Sequence, residues 1–115
     1  LEEVETLCGS YTHHYMICVR RVLPDDTLIS MASGGDEPWY ALSFISYARP
    51  GDRQTFFTFA SVLCRSMASL FGGRPHWGKY CPLDAATAAR LYPELPRFRA
   101  VCESLDSGKM FRNAW

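Results

Sequence analysis

Residues 72–83 have the sequence GGRPHWGKYCPL and connect two segments whose apolar residues repeat at helical spacing. The leading glycine pair lets the chain leave a helix through a positive-φ conformation, and the following proline restricts the backbone. A short, constrained connection can hold functional side chains in fixed positions. Here it would hold His76, whose imidazole offers a hydrogen-bond donor and acceptor, and Lys79, which carries a point positive charge. The loop is therefore a candidate functional site.

A purely structural interpretation of the same loop is also open. Trp77 could anchor the loop in the core, while Arg74 and Lys79 could be solvated. The spacing alone does not decide between a functional site and a plain connection.

Outward from the loop, hydrophobic periodicity predicts helices on both sides. The preceding segment, about 53–71, repeats apolar residues on one face, and Asp52 is a potential N-cap. After the loop, Asp84 is positioned to cap a short helix with the sequence AATAARLY. A further helix is predicted over about 96–105. The apolar residues of that helix, all expected to be buried, are Phe98, Val101, Cys102 and Leu105.

Two earlier segments have strand periodicity. They are 13–22, HHYMICVRRV, and 38–48, PWYALSFISYA, and the second has apolar or small residues on both faces. We therefore expect the second strand to lie centrally in the sheet. The Pro-Asp-Asp sequence at 24–26 favours a turn over a pair of catalytic carboxylates. A helix end over 1–9, then strands, then helices predict an α+β fold: a small antiparallel sheet with helices packed on one face.

The first of these strands carries a second candidate site. Alternation places Cys18 and Arg20 on one face and Arg21 on the opposite face. A cation beside apolar neighbours needs a partner, such as an anion or a substrate oxygen. Alternatively, Arg20 extends from the strand to water.

Composition limits the class of protein. The 115 residues, of which 48% are hydrophobic, suffice for one globular domain. Twelve basic and twelve acidic residues without a basic stripe argue against binding of nucleic acid. No apolar run has the length of a transmembrane helix, and the acidic N-terminus differs from a signal peptide. Because the chain begins without Met, we expect it to be part of a longer protein.

Metal, disulfide and nucleotide chemistry find no support in the motifs. The five cysteines are irregularly spaced and lack a CxxC pair, so we expect reduced, mostly buried thiols in a cytosolic protein. His13 and His14 would point to opposite faces of a strand, so together with His76 they make a poor metal site. Phosphate-binding loops, nucleophile elbows and dinucleotide fingerprints are absent from the sequence.

Longer motifs resemble those of a known family. GGRPHWGK and LYPELPRFRAVCESLDSGKMFRN are similar to the C-terminal end of the sugar-lactone and alditol oxidases, and VRRVLPDDTLIS is similar more loosely. This family of vanillyl-alcohol-oxidase-type flavoproteins includes D-arabinono-1,4-lactone oxidase, L-gulonolactone oxidase and alditol oxidase. The resemblance covers roughly residues 16–115. It implies that residues 1–115 form one domain, the C-terminal cap or substrate domain, and that the FAD-binding domain belongs to another part of the same parent chain.

The resemblance also implies roles for individual residues. Lys79 would lie beside the flavin and the substrate oxygen, His76 would line the same site as a proton acceptor or relay, and Arg20 would project into the substrate pocket. Lys79, His76 and Asn113 would contact the FAD, which the N-terminal domain would mainly hold. Hydride would pass from a CH–OH carbon of a sugar lactone or polyol to the flavin, with O2 as the expected acceptor.

Cys18, at a substrate-binding position, departs from the family pattern. Many members have a Glu there, two residues before the strand Arg, and a thiol binds sugar hydroxyls poorly. The substrate is expected to be a lactone or polyol with another hydroxyl pattern, or a less polar molecule.

The isolated piece is expected to be inactive, to expose an apolar patch and to self-associate. It is expected in the cytoplasm, with membrane association left open. The competing hypothesis is a non-catalytic binding or interaction module that keeps the loop as a scaffold.

Overall fold

The computed structural model describes residues 16–47, 51 and 53–111. Two strands precede three helices along this part of the chain. The strands are β1, Cys18–Val22, and β2, Trp39–Ser43. The helices are α1, Arg53–Phe71, α2, Ala85–Leu91, and α3, Leu95–Leu105. Strands followed by helices, with an antiparallel sheet, confirm the predicted α+β class.

Several expectations fall outside the described residues. They concern the helix end over 1–9, the histidine pair at 13–14, the capping role of Asp52 and the FAD contact of Asn113. These four expectations stay predictions.

The antiparallel register of β1 and β2 fixes which side chains share a face. Arg20 lies opposite Ala41, and Val22 lies opposite Trp39. Directly opposed residues point to the same side of a sheet, so Arg20 and Trp39 share one face. The β2 residues on this face are half-buried, whereas Tyr40 on the other face is 64% exposed. In β2, the side chains on the face that carries Arg20 are therefore less exposed than those on the opposite face, and one of them, Trp39, contacts Arg74 of the loop.

The predicted central position of the second strand is wrong for the described part of the chain. There, β2 pairs with β1 alone and ends at Ser43, although the apolar pattern continues further. Tyr40 and Leu42 on its second face are exposed. Apolar residues on both faces of a strand are buried only where a layer covers each face, and the described elements leave this face open.

The longest helix agrees with its prediction. α1 spans the predicted range, and Gly72 follows it with a φ of 64°. Gly73 then donates its N–H to the carbonyl of Met67 at 2.9 Å. A Cβ at Gly73 would lie 3.1 Å from the Met67 Cβ and 3.2 Å from its carbonyl carbon and oxygen. The first glycine supplies a left-handed turn, and the second lets the outgoing loop approach the helix backbone.

A small core draws on all three helices and on three connecting segments. Its buried side chains are Ala68, Ala88, Leu91, Tyr92 and Leu95. The side chains packed against them are Ile29, Trp77, Leu83 and Phe98. Because Ile29 precedes β2 and Trp77 follows α1, this core fixes the candidate loop against the segment between the strands.

The start of α2 confirms its predicted cap. The carboxylate of Asp84 accepts the N–H of Thr87 at 2.7 Å, which satisfies a donor that the first helical turn leaves free. These bonds lower the pKa of Asp84.

The predicted burial of the α3 face is wrong beyond its first turn. Phe98 packs against the core, but Val101 is 43% and Leu105 is 81% exposed, and Cys102 is exposed as well. The core contacts the beginning of α3, so its later apolar residues lie outside it.

Replacing Gly73 with Ala should destabilise the protein. The new Cβ would lie 3.1 Å from the Met67 Cβ and 3.2 Å from its carbonyl group, closer than ordinary van der Waals contact, so this turn of α1 would have to shift. We expect the free energy of unfolding to fall by roughly 1–3 kcal/mol in a denaturation experiment. Gly108→Ala is the matched control, because its Cβ would make an ordinary contact of 3.6 Å with Met110. Equal stability of the two variants would contradict the close approach.

Candidate functional site

Residues 76–79 form a tight turn that presents the two candidate side chains of the loop. The N–H of Lys79 donates to the carbonyl of His76 at 3.0 Å, and the N–H of Gly78 donates to Nδ1 of His76 at 2.9 Å. A Cβ at Gly78 would lie 3.2 Å from Cε1 of the imidazole, so glycine leaves room for the ring. His76 and Lys79 are both exposed. The turn holds them on the surface in a defined arrangement.

The bond from Gly78 determines what His76 offers chemically. A nitrogen that accepts a hydrogen bond carries no proton, so the neutral imidazole has its proton on Nε2. In this arrangement Nε2–H is free to donate a hydrogen bond to a ligand. The predicted role of His76 as a proton acceptor or relay stays a prediction.

Lys79 carries a positive charge without an ion-pair partner among the described residues. The ion pair found in that part of the chain joins Arg97 and Glu94, in and just before α3, at 3.6 Å. An exposed ammonium of this kind is available to an anionic or oxygen-rich group of a ligand.

Arg20 lies on the exposed surface of β1 and is oriented by the partner strand. Its Nη2 donates to Oγ of Ser43 at 3.0 Å. Ser43 lies directly opposite Cys18, so this bond crosses the strand pair diagonally on one face. We call this surface the Arg20 face; it comprises Cys18, Arg20, Val22, Trp39, Ala41 and Ser43. Ser43 carries no signal of this role in the sequence, because its relation to Arg20 depends on the strand register.

Arg74 is half-buried, whereas the purely structural interpretation of the loop predicted that it would be solvated. Its Nη1 donates to the carbonyl of Ser33 at 2.7 Å and to its Oγ at 3.0 Å. The guanidinium carbon lies 4.6 Å from the ring centre of Trp39 and 4.7 Å from that of Tyr92. Burial lowers the pKa of Arg74, whereas Tyr92 and Asp25 act in the opposite direction. This half-buried cation belongs to the framework of the site, and sequence reasoning missed it.

Trp77 has the anchoring role predicted for it. Its indole N–H donates to the carbonyl of Ile29 at 2.9 Å. Its ring lies 4.8 Å from the ring of Tyr92, which is buried. Trp77 thereby attaches the loop to the core at the residue next to His76.

Asp25 organises the segment between the strands that receives Arg74 and Trp77. Its Oδ2 accepts the hydroxyl of Ser30 at 2.6 Å, and its Oδ1 accepts the N–H and the hydroxyl of Thr27. These bonds lower the pKa of Asp25, with the bond from Ser30 contributing most. The carboxylate stabilises a turn, as predicted for the acidic pair.

The loop and the strand cation lie on the same side of the sheet. Arg74 of the loop contacts Trp39, which belongs to the Arg20 face. Trp39 is opposite Val22, and residues two positions apart along a strand are separated by about 7 Å. Arg74 therefore lies on the side of the sheet that carries Arg20, while Arg20 itself bonds to Ser43. The grouping of Arg20 with His76 and Lys79 stays a prediction.

The described residues contain no cluster of His, Cys, Asp and Glu that could hold a metal ion. Within the same ranges, no helix combines the length and apolar character needed to cross a membrane.

Four cysteines are described, all with free thiols. Cys18 and Cys102 are exposed, which corrects the expectation of mostly buried thiols. Burial raises the pKa of the half-buried Cys64, so its thiol is a weak nucleophile.

The phenol of Tyr92 should make the stability of the fold depend on pH in the alkaline range. Its buried hydroxyl has no hydrogen-bond partner among the described residues, and burial raises its pKa to about 12. The unfolded phenol ionises at about pH 10. The folded pKa is the higher one, so this group stabilises the fold below about pH 10 and the contribution is lost as the pH rises towards 12.

The Tyr92→Phe variant should lose less stability at alkaline pH than the unaltered protein, because it has no phenol to ionise at this position. At neutral pH we expect the stability to change by less than about 1 kcal/mol, since the hydroxyl gives up no described hydrogen bond. Urea unfolding of both proteins between neutral and strongly alkaline pH measures the difference. Parallel loss of stability in the two proteins would contradict the buried, un-ionised hydroxyl.

Comparison with known proteins gives a consistent set of matches. The family model described as D-arabinono-1,4-lactone oxidase matches residues 1–115. The chain is 59% identical to a long-chain alcohol oxidase of an uncultured marine euryarchaeote, over 99% of this chain and 24% of that protein. It is 34% identical to an L-gulono-1,4-lactone dehydrogenase of Mycobacterium tuberculosis, over 86% of this chain and 22% of that protein.

Identity to an alditol oxidase of Streptomyces sp. is 29%, over 84% of this chain and 22% of that protein. The chain thus spans less than a quarter of the length of the curated relatives it matches. No solved structure matches it.

Proposed function

The chain belongs to the D-arabinono-1,4-lactone oxidase family, whose model it matches throughout, and from this premise we propose that it forms the substrate side of an FAD-dependent oxidoreductase acting on a CH–OH group. The observation that carries the proposal is the exposed ammonium of Lys79, held on the tight turn beside His76, in the loop whose Arg74 contacts Trp39 of the Arg20 face. The rest of the parent protein would hold most of the FAD, and this chain alone would be inactive.

The side chains of the loop fit the requirements of a flavin. FAD, when bound, supplies the hydride acceptor. A reduced flavin carries negative charge, so a fixed cation and a hydrogen-bond donor at its edge stabilise the charge that develops during reduction. Lys79 supplies such a cation, and Nε2–H of His76 supplies such a donor. Asn113 stays a proposed third contact to the FAD.

Arg20 is proposed to bind the oxygen of the substrate. Its guanidinium has several N–H groups, and the bond to Ser43 uses one of its terminal nitrogens. The remaining N–H groups can donate to a hydroxyl or alkoxide oxygen on the Arg20 face. Because an alkoxide accepts such bonds more strongly than a neutral hydroxyl, this interaction favours the transition state over the bound alcohol.

Two substrate classes follow from the family, and the Arg20 face favours the less polar one. Cys18 and Ala41, next to Arg20, are small and bind hydroxyl groups poorly. The relative with 59% identity is named a long-chain alcohol oxidase. We therefore propose an alcohol with an extended alkyl chain as the preferred substrate, with a sugar lactone or polyol as the second candidate. O2 is the proposed acceptor, because relatives at 59% and 29% identity are named oxidases.

The full-length protein tests the cofactor and the substrate class together. Without oxygen, a long-chain alcohol should bleach the visible flavin absorbance, and an aldonolactone or alditol should do so more slowly. Faster bleaching by the lactone or the alditol would reverse the proposed substrate order. A purified protein without flavin would contradict the cofactor assignment and favour a non-catalytic interaction module.

Lys79→Ala should slow anaerobic flavin reduction by about 10²–10³-fold, because a preorganised charge at the developing anion is lost. Lys79→Arg, which keeps the charge, should retain more of the rate. Arg97→Ala is the control: it removes an exposed cation whose side chain is paired with Glu94, away from the loop. Equal rates for Lys79→Ala and the unaltered protein would remove Lys79 from the proposed site.

A further inference from the structure

We propose that Arg74 is the positioning residue that holds the His76–Lys79 turn against the Arg20 face. This positioning role of Arg74 follows neither from the family match nor from the exposed side chains of the loop. The inference rests on the proposed function, since it concerns the alignment of the same site. It does not require Arg74 to touch substrate or cofactor.

The hydrogen bonds of Arg74 reach across the chain to the segment between the strands. Nη1 donates to both the carbonyl and the hydroxyl of Ser33, and it lies 3.5 Å from the carbonyl of Ser30. Ser33 is buried, so its carbonyl would lose a hydrogen bond to water on folding without this donor. The bonds therefore fix the guanidinium and the turn organised by Asp25 relative to each other.

The aromatic contacts of Arg74 join two further elements. Trp39 belongs to β2, and Tyr92 follows α2 and is fully buried. A planar guanidinium can stack on an aromatic ring and donate in its own plane at the same time, which an ammonium cannot do. One side chain thus connects the strand pair, the turn between the strands and the helical core.

The distance along the chain from Arg74 to the proposed site is short and constrained. Pro75 follows Arg74 directly, and the bond from Lys79 to the carbonyl of His76 closes the turn. Trp77 fixes the same segment to the carbonyl of Ile29. A shift of the guanidinium relative to Trp39 would therefore move the turn relative to Arg20.

Arg74→Lys in the full-length protein with its bound flavin is the test, and Arg97→Lys is the matched control. Arg74→Lys keeps the positive charge but loses the stacked, in-plane donor. We expect the limiting rate of anaerobic flavin reduction by a long-chain alcohol to fall by at least about tenfold, with a smaller change in the apparent Kd of the alcohol. Arg97→Lys, at an exposed position, should leave both values unchanged.

Amide hydrogen exchange supplies a readout that needs no substrate. In the Arg74→Lys variant, amide exchange should be faster than in the unaltered protein at residues 25–34 and at residues 76–79. In the Arg97→Lys variant, exchange should be unchanged in both segments. Faster exchange at 25–34 with an unchanged reduction rate per bound flavin would show a structural role only and would overturn the proposal. Unchanged exchange at both segments would also overturn it.

The two proposals can fail separately. If no alcohol, lactone or alditol reduces the flavin of the unaltered protein, the proposed function fails. Amide exchange at residues 76–79 in the Arg74→Lys variant then decides by itself whether Arg74 positions the turn. If Arg74→Lys does not fold, Trp39→Leu replaces it, because it removes one ring and leaves the bonds to Ser33 in place. The same outcomes then support or overturn the inference.

Discussion

The structure depends on a guanidinium, that of Arg74, which lies over two aromatic rings. Taking a cation out of water is unfavourable unless hydrogen bonds and polarisable neighbours replace the hydration. Around Arg74, Ser33 supplies the acceptors, and Trp39 and Tyr92 supply the ring faces. Among the described residues, the strand pair, the turn between its strands and the helical core share no common hydrogen-bond ladder. Arg74 contacts all three of them.

The helices could be predicted where local signals determine them. The bounds of α1 follow from an apolar stripe ended by two glycines, and the start of α2 follows from the side-chain cap of Asp84. The burial of β2 and of the end of α3 could not be predicted, because it depends on which other layers cover them. Leu42 and Leu105 have the sequence pattern of buried residues, yet the described elements leave both exposed.

The candidate site shows the same limit. The motif of the loop identified His76 and Lys79, and strand alternation identified the face shared by Cys18 and Arg20. Ser43 became apparent only through the register of the two strands, and Arg74 only through contacts with residues far away in the sequence. An arginine between a glycine and a proline looks like a solvated loop residue until its partners are known. The family resemblance supplied the expected chemistry, which periodicity and spacing could not.

The long range of these contacts has a consequence for the order of folding. The bonds from Arg74 to Ser33 and from Trp77 to Ile29 span 41 and 48 residues, whereas α2 and α3 meet across a short connection. Closing long loops costs entropy before the contacts compensate for it, and a two-stranded sheet is marginal by itself. The helical core is thus expected to form first, with the strand pair docking late. During synthesis, the described bonds from Arg74 and Trp77 to the segment between the strands can form only after residues 72–77 have left the ribosome.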